Sequence, residues 1–314
     1  MNHRIRNIAV TIVLAAGLIV PVWMWMRPTA PERPSTSLLS GATPVRGSAT
    51  VAVDRSLMPV AELQSQVFNE HYPYASVKLS ADAAVPPIMQ LLRRQAVGAI
   101  IEGALSHQED SLLVSMSRPL KRQPIARNAL VLVVNRANTV RSISMDGLKG
   151  IFSGRVTDWK ALGGSQGRIV ACLDGSDLRA RTVLSGILFN RPDGMSATAE
   201  VDEKRLFARI GNDANAAAIV TLPAYARALH SSGNSAMIRA IPVSGTADGD
   251  PVAGTPVTVY SGTYPLVTIV YYIYDPFDPL ATGFGAWLAK EGQKFFERGD
   301  MAPYEQTVRT IILK

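Results

Sequence analysis

Short apolar segments alternate with helical segments from Gly47 onward, and this alternation restricts the fold more than any other feature of the sequence. "SATVAVD" (48–54) and "ASVKLS" (75–80) have the composition of strands. Between them, "LMPVAELQSQVFNEHYP" (57–73) repeats apolar residues at helical spacing, and Ser56 is placed to cap this helix. Strands that alternate with helices form a mainly parallel sheet covered on both faces. The sequence therefore predicts an α/β fold.

Two long strand-like segments divide the remaining chain. "ALVLVVN" (129–135) and "PLVTIVYYIYD" (265–275) are the longest of these segments, and a second set of strands and helices lies between them. "ATGFGAWLAKEGQKFFERG" (281–299) follows as a predicted C-terminal helix. We therefore expect two lobes joined by two crossing strands. The predicted ranges are 47–135 plus 264–314 for lobe 1 and 136–263 for lobe 2.

The N-terminus has the pattern of a membrane anchor. The basic "MNHRIR" precedes residues 8–26, an uncharged run of 19 residues, close to the roughly 20 residues that cross a bilayer as a helix. Ala30 is a poor cleavage site because Pro31 follows it. We favour an uncleaved signal anchor or transmembrane helix (1–27) and a Pro/Ser-rich linker (28–46) over a removed signal peptide. The body is then predicted outside the cytoplasm, anchored in the inner membrane.

Composition argues against metal sites and nucleic-acid binding. Cys172 is the one cysteine, so neither an intrachain disulfide nor a cysteine-rich zinc site can form. The histidines occur singly, as His3, His71, His107 and His230, and we predict no metal and no cofactor. The formal net charge is +7, but part of it lies in the first forty residues and no basic run follows. Nucleic acid is therefore not a predicted partner.

Five segments carry a resemblance to a known family. "GLKGIFSGRVTDWKALGG" (147–164) resembles a stretch of phosphate-binding-type periplasmic solute-binding proteins of ABC transporters. Four further segments occur in the order that this family uses: "SMSRPL" (115–120), "NALVLVVN" (128–135), "SGTYPLVTIVYYIY" (261–274) and "GFGAWLAKEGQKFFERGDMAP" (283–303). The resemblance implies a two-lobed type II periplasmic-binding-protein fold, here preceded by one N-terminal transmembrane helix. It also implies a ligand cleft between lobes that close by a hinge.

The segment "RIVACLDGSDLRARTVLSGILF" (168–189) is the main candidate for ligand binding. It is predicted as a strand, a polar turn and a helix, and the first turn of a helix attracts anions through its unpaired N–H groups and its dipole. Phosphate-binding relatives have a Ser-Gly-Thr-like turn with a nearby arginine here, which implies binding by Gly175, Ser176, Arg179 and Arg181. The alternative is an ordinary helix cap with both arginines in water, and the Asp177 carboxylate would repel phosphate.

Two further turns are expected to face the same cleft. Asp54-Arg55-Ser56 precedes the first helix, where many relatives have a Gly-Ser-x-Thr turn, and "SMSRPL" supplies the third turn. Routine loop chemistry is the alternative for all three turns. The predicted ligand-binding residues are Asp54, Ser56, Ser115, Ser117, Arg118, Gly175, Ser176, Arg179 and Arg181.

The predicted function is capture of a small oxyanion, with phosphate favoured, by an extracytoplasmic solute-binding protein of an ABC importer. An ABC permease would be its partner, and the N-terminal helix would attach it to the membrane. The alternative is a membrane-anchored sensor or envelope interaction module with altered or lost ligand binding. "GGSQG" (163–167) matches a hydrolase nucleophile motif, but Ser165 does not lie between a strand and a helix, so we predict no enzyme.

Overall fold

The computed structural model describes residues 41–82, 85–115, 119–190, 195–200, 202–231 and 236–305. The predicted N-terminal anchor lies outside the described residues, as do the predicted site residues Ser117 and Arg118. Within the described ranges, no helix has both the length and the apolar character needed to cross a bilayer. The fold described below is that of the compact unit that begins at Ala42.

The strands of the described residues alternate with helices along most of the chain, as the sequence predicts. In chain order they are β1 (Gly47–Val53), β2 (Ala75–Ser80), β3 (Gly98–Glu102), β4 (Lys121–Asn135), β5 (Ile143–Ser144), β6 (Val170–Asp174), β7 (Thr198–Glu200), β8 (Ala216–Thr221), β9 (Ile238–Ile241), β10 (Val243–Ser244), β11 (Val267–Tyr274) and β12 (Ala302–Pro303).

The helices are short, and several begin directly after a strand. In chain order they are α1 (Met58–His71), α2 (Pro87–Leu92), α3 (His107–Ser115), α4 (Met145–Phe152), α5 (Leu178–Phe189), α6 (Glu203–Asn212), α7 (Leu222–His230), α8 (Pro256–Tyr260), α9 (Pro279–Ala289) and α10 (Gln293–Arg298). Two 3₁₀ turns cover Arg55–Leu57 and Trp159–Leu162.

Most strands join one sheet with the order β2-β1-β3-β11-β4-β8-β6-β7. The neighbours β1, β2 and β3 are parallel, and so are β6, β7 and β8. The two parallel groups are connected through the antiparallel strands β11 and β4. The chain is therefore a two-lobed α/β structure, with one parallel group in each lobe.

Strand β4 belongs to both lobes. Its first part pairs with β11 as far as Ala129, and its second part, from Leu130, pairs with β8 and β9. Every residue from Ile125 to Val134 except Arg127 is buried, which explains why this strand is a continuous apolar run rather than an alternating one. The chain returns beside it, because the Leu130 N–H donates to the Leu266 carbonyl over 3.0 Å. The exact lobe limits remain a prediction.

Separate hydrophobic cores support the two lobes. One core surrounds the second part of β4 and includes Leu132, Cys172 and Leu206. Another lies between β1, β11 and the helices α1 and α9, where Phe68 and Trp287 contact edge to face at 5.9 Å between ring centroids. Two cores connected by few strands allow each lobe to move as a unit.

The single C-terminal helix predicted for residues 281–299 is wrong, because two helices occupy this segment. Helix α9 ends at Ala289 and α10 begins at Gln293. The N–H groups of Lys290 and Gly292 both donate to the Trp287 carbonyl, which turns the chain. A Cβ at Gly292 would lie 2.7 Å from Gln64 Oε1, so only glycine allows this close packing on α1.

Candidate functional site

A cavity of about 230 Å³ lies where the carboxyl ends of several strands meet. Asp174 ends β6, Thr221 ends β8, and both residues line the cavity. Arg55 and Ser56, which follow β1, line it from the first lobe. Ligands of open α/β sheets bind at the carboxyl edge of the strands. The cavity therefore lies where the fold would be expected to place a ligand site.

The predicted turn before α5 uses its own polar groups. Asp174 Oδ1 accepts from the Ser176 N–H over 2.8 Å and from the Ser176 hydroxyl over 2.7 Å. Asp177 Oδ1 accepts from the Ala180 N–H over 2.9 Å and so caps the helix. Gly175 is exposed at the tip of the turn. In this arrangement the turn is a helix cap, and both donors of Ser176 bind a protein carboxylate.

Arg179 joins the two lobes. Its guanidinium donates to both carboxylate oxygens of Glu109, over 2.7 and 2.8 Å. It also donates to the carbonyls of Glu102, over 2.8 Å, and Ala104, over 2.9 Å. Only 11% of its side chain is exposed, so the alternative in which this arginine faces water is wrong. In this arrangement the Arg179 guanidinium donates its hydrogen bonds to protein groups, so it is not available to bind an anion.

The lobes also touch beside Arg179. Gly103 has a φ of +73°, and a Cβ at this position would lie 2.6 Å from Val183 Cγ2 on α5. The Gly103 N–H donates to the Ile269 carbonyl of β11 over 2.8 Å. Glycine thus provides both the left-handed backbone and the space that α5 needs at this contact.

Three buried carboxyl groups surround the contact, and burial changes their ionisation. Burial raises the pKa of Asp54 to about 8, although Arg179 Nε lies 3.8 Å away and the Glu102 N–H donates to it. Burial also raises the pKa of Glu102 to about 7, against hydrogen bonds from Thr268 and Asn128. Burial raises the pKa of Asp177 as well. These carboxyl groups therefore favour their neutral forms more than exposed carboxyl groups do.

Glu109 behaves differently because it is paired. Burial acts to raise its pKa, but the Arg179 charge and hydrogen bonds outweigh burial and hold the pKa below its usual value. Ser106 also donates to Glu109 Oε2 through its N–H, over 2.7 Å, and its hydroxyl, over 2.9 Å. Glu109 is thus a charged partner, fixed at the start of α3, for the arginine of the other lobe.

Three of the predicted residues line the cavity: Ser56, Ser176 and Arg181. Arg181 is exposed, and its guanidinium makes no hydrogen bond or ion pair within the described residues, although its backbone N–H donates to the Asp177 carbonyl. The prediction that Ser56 caps the first helix is wrong, because the backbone forms a 3₁₀ turn there and no side chain caps α1. Ser56 Oγ is buried without a hydrogen bond of normal geometry, although it lies close enough to Asp177 to act toward a lower pKa of that carboxyl group.

The other predicted residues lie away from the cavity or outside the described residues. Asp54 does not line the cavity; it is buried, and its carboxylate accepts from the Glu102 N–H over 2.7 Å. Ser115 is exposed at the end of α3, where its hydroxyl donates to the Leu112 carbonyl over 2.8 Å. Ser117 and Arg118, in the third predicted turn, lie outside the described residues. The structure therefore brings two of the three predicted turns together.

Sequence reasoning missed several residues of the region. Glu102 and Glu109 connect to Arg179, and Lys204 lines the cavity. The sequence contained a signal for Glu109, since Ser106-x-x-Glu109 is the pattern of a capping box. Glu102 ends the apolar segment "GAIIE" as its one charged residue. No local pattern indicated that Lys204 would reach the same cavity.

Comparison with known proteins agrees with this architecture. A model of the PBP superfamily domain matches residues 40–291. The chain belongs to the PBP superfamily. The phosphate-binding protein PstS of Bacillus subtilis is 22% identical to this superfamily member over 173 residues, which cover 54% of this chain. The match spans 49% of that protein, about half its length.

Solved structures show the same fold at low sequence identity. A phosphate ABC transporter substrate-binding protein of Clostridium perfringens, with bound phosphate, gives a TM-score of 0.66 at 19% identity and covers 82% of this chain and 100% of its own. An ABC-type phosphate transport receptor from Vibrio cholerae gives a TM-score of 0.63 at 18% identity, and the match covers 81% of this chain and 99% of the receptor. These matches confirm the resemblance to phosphate-binding-type proteins. The matched proteins are named for binding or transport, which agrees with the prediction that the chain is not an enzyme.

Proposed function

We propose that this PBP-superfamily chain is an extracytoplasmic solute-binding protein that captures a small oxyanion, with phosphate as the first candidate, for an ABC importer. The observation that carries the proposal is the cavity lined from both lobes, by Ser56 on one side and by Ser176 and Arg181 on the other. A ligand held by both lobes stabilises the closed form of a hinged protein.

The local electrostatics are compatible with an anion in the cavity. The first turns of α5, α6 and α7 point their N-terminal ends toward this region, since Asp177, Asp202 and Thr221 cap those helices and line the cavity. Helix N-termini carry partial positive charge. Arg181 adds a full charge beside them. The repulsion expected from Asp177 is reduced, because burial raises the pKa of that carboxyl group.

Phosphate is the first candidate because of the relatives' names. The relative from Bacillus subtilis is named for phosphate binding, and the Clostridium perfringens structure contains phosphate. An ABC permease as partner, the extracytoplasmic location and the lobe ranges 47–135 plus 264–314 and 136–263 belong to the same proposal. So does attachment to the inner membrane by the N-terminal segment.

Inorganic phosphate is expected to stabilise the full chain, purified in a mild detergent. At a concentration one hundred times its dissociation constant, a ligand of the folded state adds about 2.7 kcal/mol to the free energy of unfolding. Thermal unfolding monitored by intrinsic fluorescence measures this effect as a rise in melting temperature. Arg181→Ala should weaken the response, because charge-assisted hydrogen bonds are the strong ones.

Arg93→Ala is the matched control, since Arg93 is exposed on the first lobe and does not line the cavity. It should respond to phosphate as the unchanged chain does. The proposal is contradicted if no oxyanion raises the melting temperature. The sensor or interaction module would then be the better account of this fold.

A further inference from the structure

The cavity is larger and more apolar than a bare oxyanion requires. Its volume is about 230 Å³, whereas a cavity of about 150 Å³ is already large enough to bind benzene. Seven aliphatic side chains line it: Leu130, Leu173, Ala180, Leu184, Ile219, Val220 and Ala224. A tetrahedral ion alone would leave this aliphatic surface without a partner.

The carboxylates that line the cavity are engaged with protein groups. Asp174 binds Ser176, and Asp177 caps α5. Asp202 accepts from the Arg205 N–H over 2.8 Å, and Glu203 accepts from Arg227 over 2.9 Å. Each acidic group therefore already has a donor, and none needs a cation from a ligand.

The cations that line the cavity are not engaged in the same way. Arg55, Arg181 and Lys204 all line it and all are exposed. In the part of the chain that the structure describes, none of the three makes an ion pair or a hydrogen bond with a side chain. Ser56 Oγ, which also lines the cavity, is buried without a hydrogen bond of normal geometry, although its proximity to Asp177 acts toward a lower pKa of that carboxyl group. The polar groups that remain available are thus donors, which is the requirement of an anionic ligand.

We infer that the cavity takes an organic oxyanion, in which a tetrahedral head group such as a phosphonate or phosphate ester is joined to a small apolar group. Arg55, Arg181 and Ser56 hold the head group, and the aliphatic side chains around Leu184 and Ile219 contact the apolar group. This inference rests on the proposed function, because it specifies the ligand class of the same site. It differs from capture of inorganic phosphate, for which the aliphatic surface has no use.

The volume of the cavity indicates which ligand should be used as a probe. Phenylphosphonate combines a ring of benzene's size with a tetrahedral anionic head, and methylphosphonate has the same head without the ring. Because even one methylene group in a hydrophobic pocket changes binding by about tenfold or more, phenylphosphonate is expected to bind at least ~10-fold more tightly than methylphosphonate or inorganic phosphate. Isothermal titration calorimetry on the full chain in detergent measures all three dissociation constants at one pH.

A variant that fills the cavity separates the apolar group from the head group. Ala224→Leu adds volume at the cavity wall. It should raise the dissociation constant of phenylphosphonate by about tenfold and change that of inorganic phosphate much less. Ala208→Leu is the matched control, because Ala208 is exposed on α6 and does not line the cavity. It should leave all three constants unchanged. Arg181→Ala should weaken the binding of phenylphosphonate, methylphosphonate and inorganic phosphate alike, since all three have the anionic head group.

The outcomes distinguish this inference from the proposed function. If inorganic phosphate binds as tightly as phenylphosphonate, the ligand class is wrong and the proposed function stands. If phenylphosphonate binds best but Ala224→Leu has no effect, the apolar group lies elsewhere and the inference is overturned. If none of the three anions binds, the proposed function fails together with the inference.

Discussion

Arg179→Ala is expected to lower the free energy of unfolding by about 3 to 5 kcal/mol, the cost of breaking a buried ion pair by removing one partner. The substitution leaves the Glu109 carboxylate without its charged partner, and it leaves the carbonyls of Glu102 and Ala104 without their donor. The arginine side chain is only 11% exposed, so water replaces these contacts poorly. Urea unfolding of the full chain, followed by circular dichroism, measures the loss.

Arg181→Ala is the matched control for this prediction. Both arginines lie on α5, but Arg181 is exposed and has no ion pair within the described residues. Exposed substitutions usually change stability by less than about 0.5 kcal/mol. Arg179→Lys should lower the free energy of unfolding by less than Arg179→Ala and by more than Arg181→Ala. Lysine keeps the charge but cannot bind both Glu109 oxygens with one planar group. Equal losses for Arg179→Ala and Arg181→Ala would contradict the role of Arg179 in joining the lobes.

The stability of the chain is expected to fall as the pH rises from about 5 to about 8. Burial raises the pKa of Asp54 to about 8, from 3.8. Between these values the folded state keeps a proton that the unfolded state has lost, so raising the pH favours unfolding. Glu102, with a pKa of about 7, acts in the same direction over the lower part of this window. One retained proton corresponds to a slope of about 1.4 kcal/mol per pH unit at most.

Glu109 opposes this trend only at low pH. Because its pKa is lowered, its contribution is present above the usual glutamate range and is lost as the pH falls through the folded-state value. Measuring the free energy of unfolding at pH 5 and pH 8 therefore isolates the buried acids. Asp54→Asn should flatten the dependence, since the amide is neutral and its oxygen can still accept from the Glu102 N–H.

Asp248→Asn serves as the control for the pH dependence, because Asp248 is exposed and lies far along the chain from the buried acids. It should reproduce the slope of the unchanged chain. A free energy of unfolding that rises between pH 5 and pH 8 in the unchanged chain would contradict the neutral state of Asp54. If Asp54→Asn leaves the dependence of the free energy of unfolding on pH unchanged, titration of groups other than Asp54 causes that dependence.

These two predictions concern the same part of the molecule, where α5 of one lobe meets β3 and α3 of the other. Arg179 is the only described cation within 4 Å of the buried Asp54 carboxylate. Removing it would leave Asp54 and Glu102 still more strongly biased toward the neutral form, because Arg179 lowers the pKa of both groups. The pH dependence should therefore become steeper or extend to higher pH in Arg179→Ala.

The sequence by itself determined the fold class and the order of most elements. The apolar runs around 129–135 and 265–275 were recognisable as strands because they are the longest strand-like segments of the sequence. The turn at Asp174-Gly175-Ser176 was also predictable, since an aspartate that binds the backbone two residues on is a local motif. Strands and turns of this kind depend on residues that are close together in the sequence, so the spacing of residue types is enough to predict them.

Only the tertiary structure decided which polar groups are available. Arg179 and Glu109 are 70 residues apart, and nothing near either one indicates the other as its partner. The pKa of Asp54 depends on burial by a second lobe, and the cavity depends on Arg55, Arg181 and Lys204 arriving from three different elements. Hydrogen-bond partners and desolvation are set by long-range packing, which is why a local turn pattern could place these residues near a cleft but could not tell whether they were free to bind.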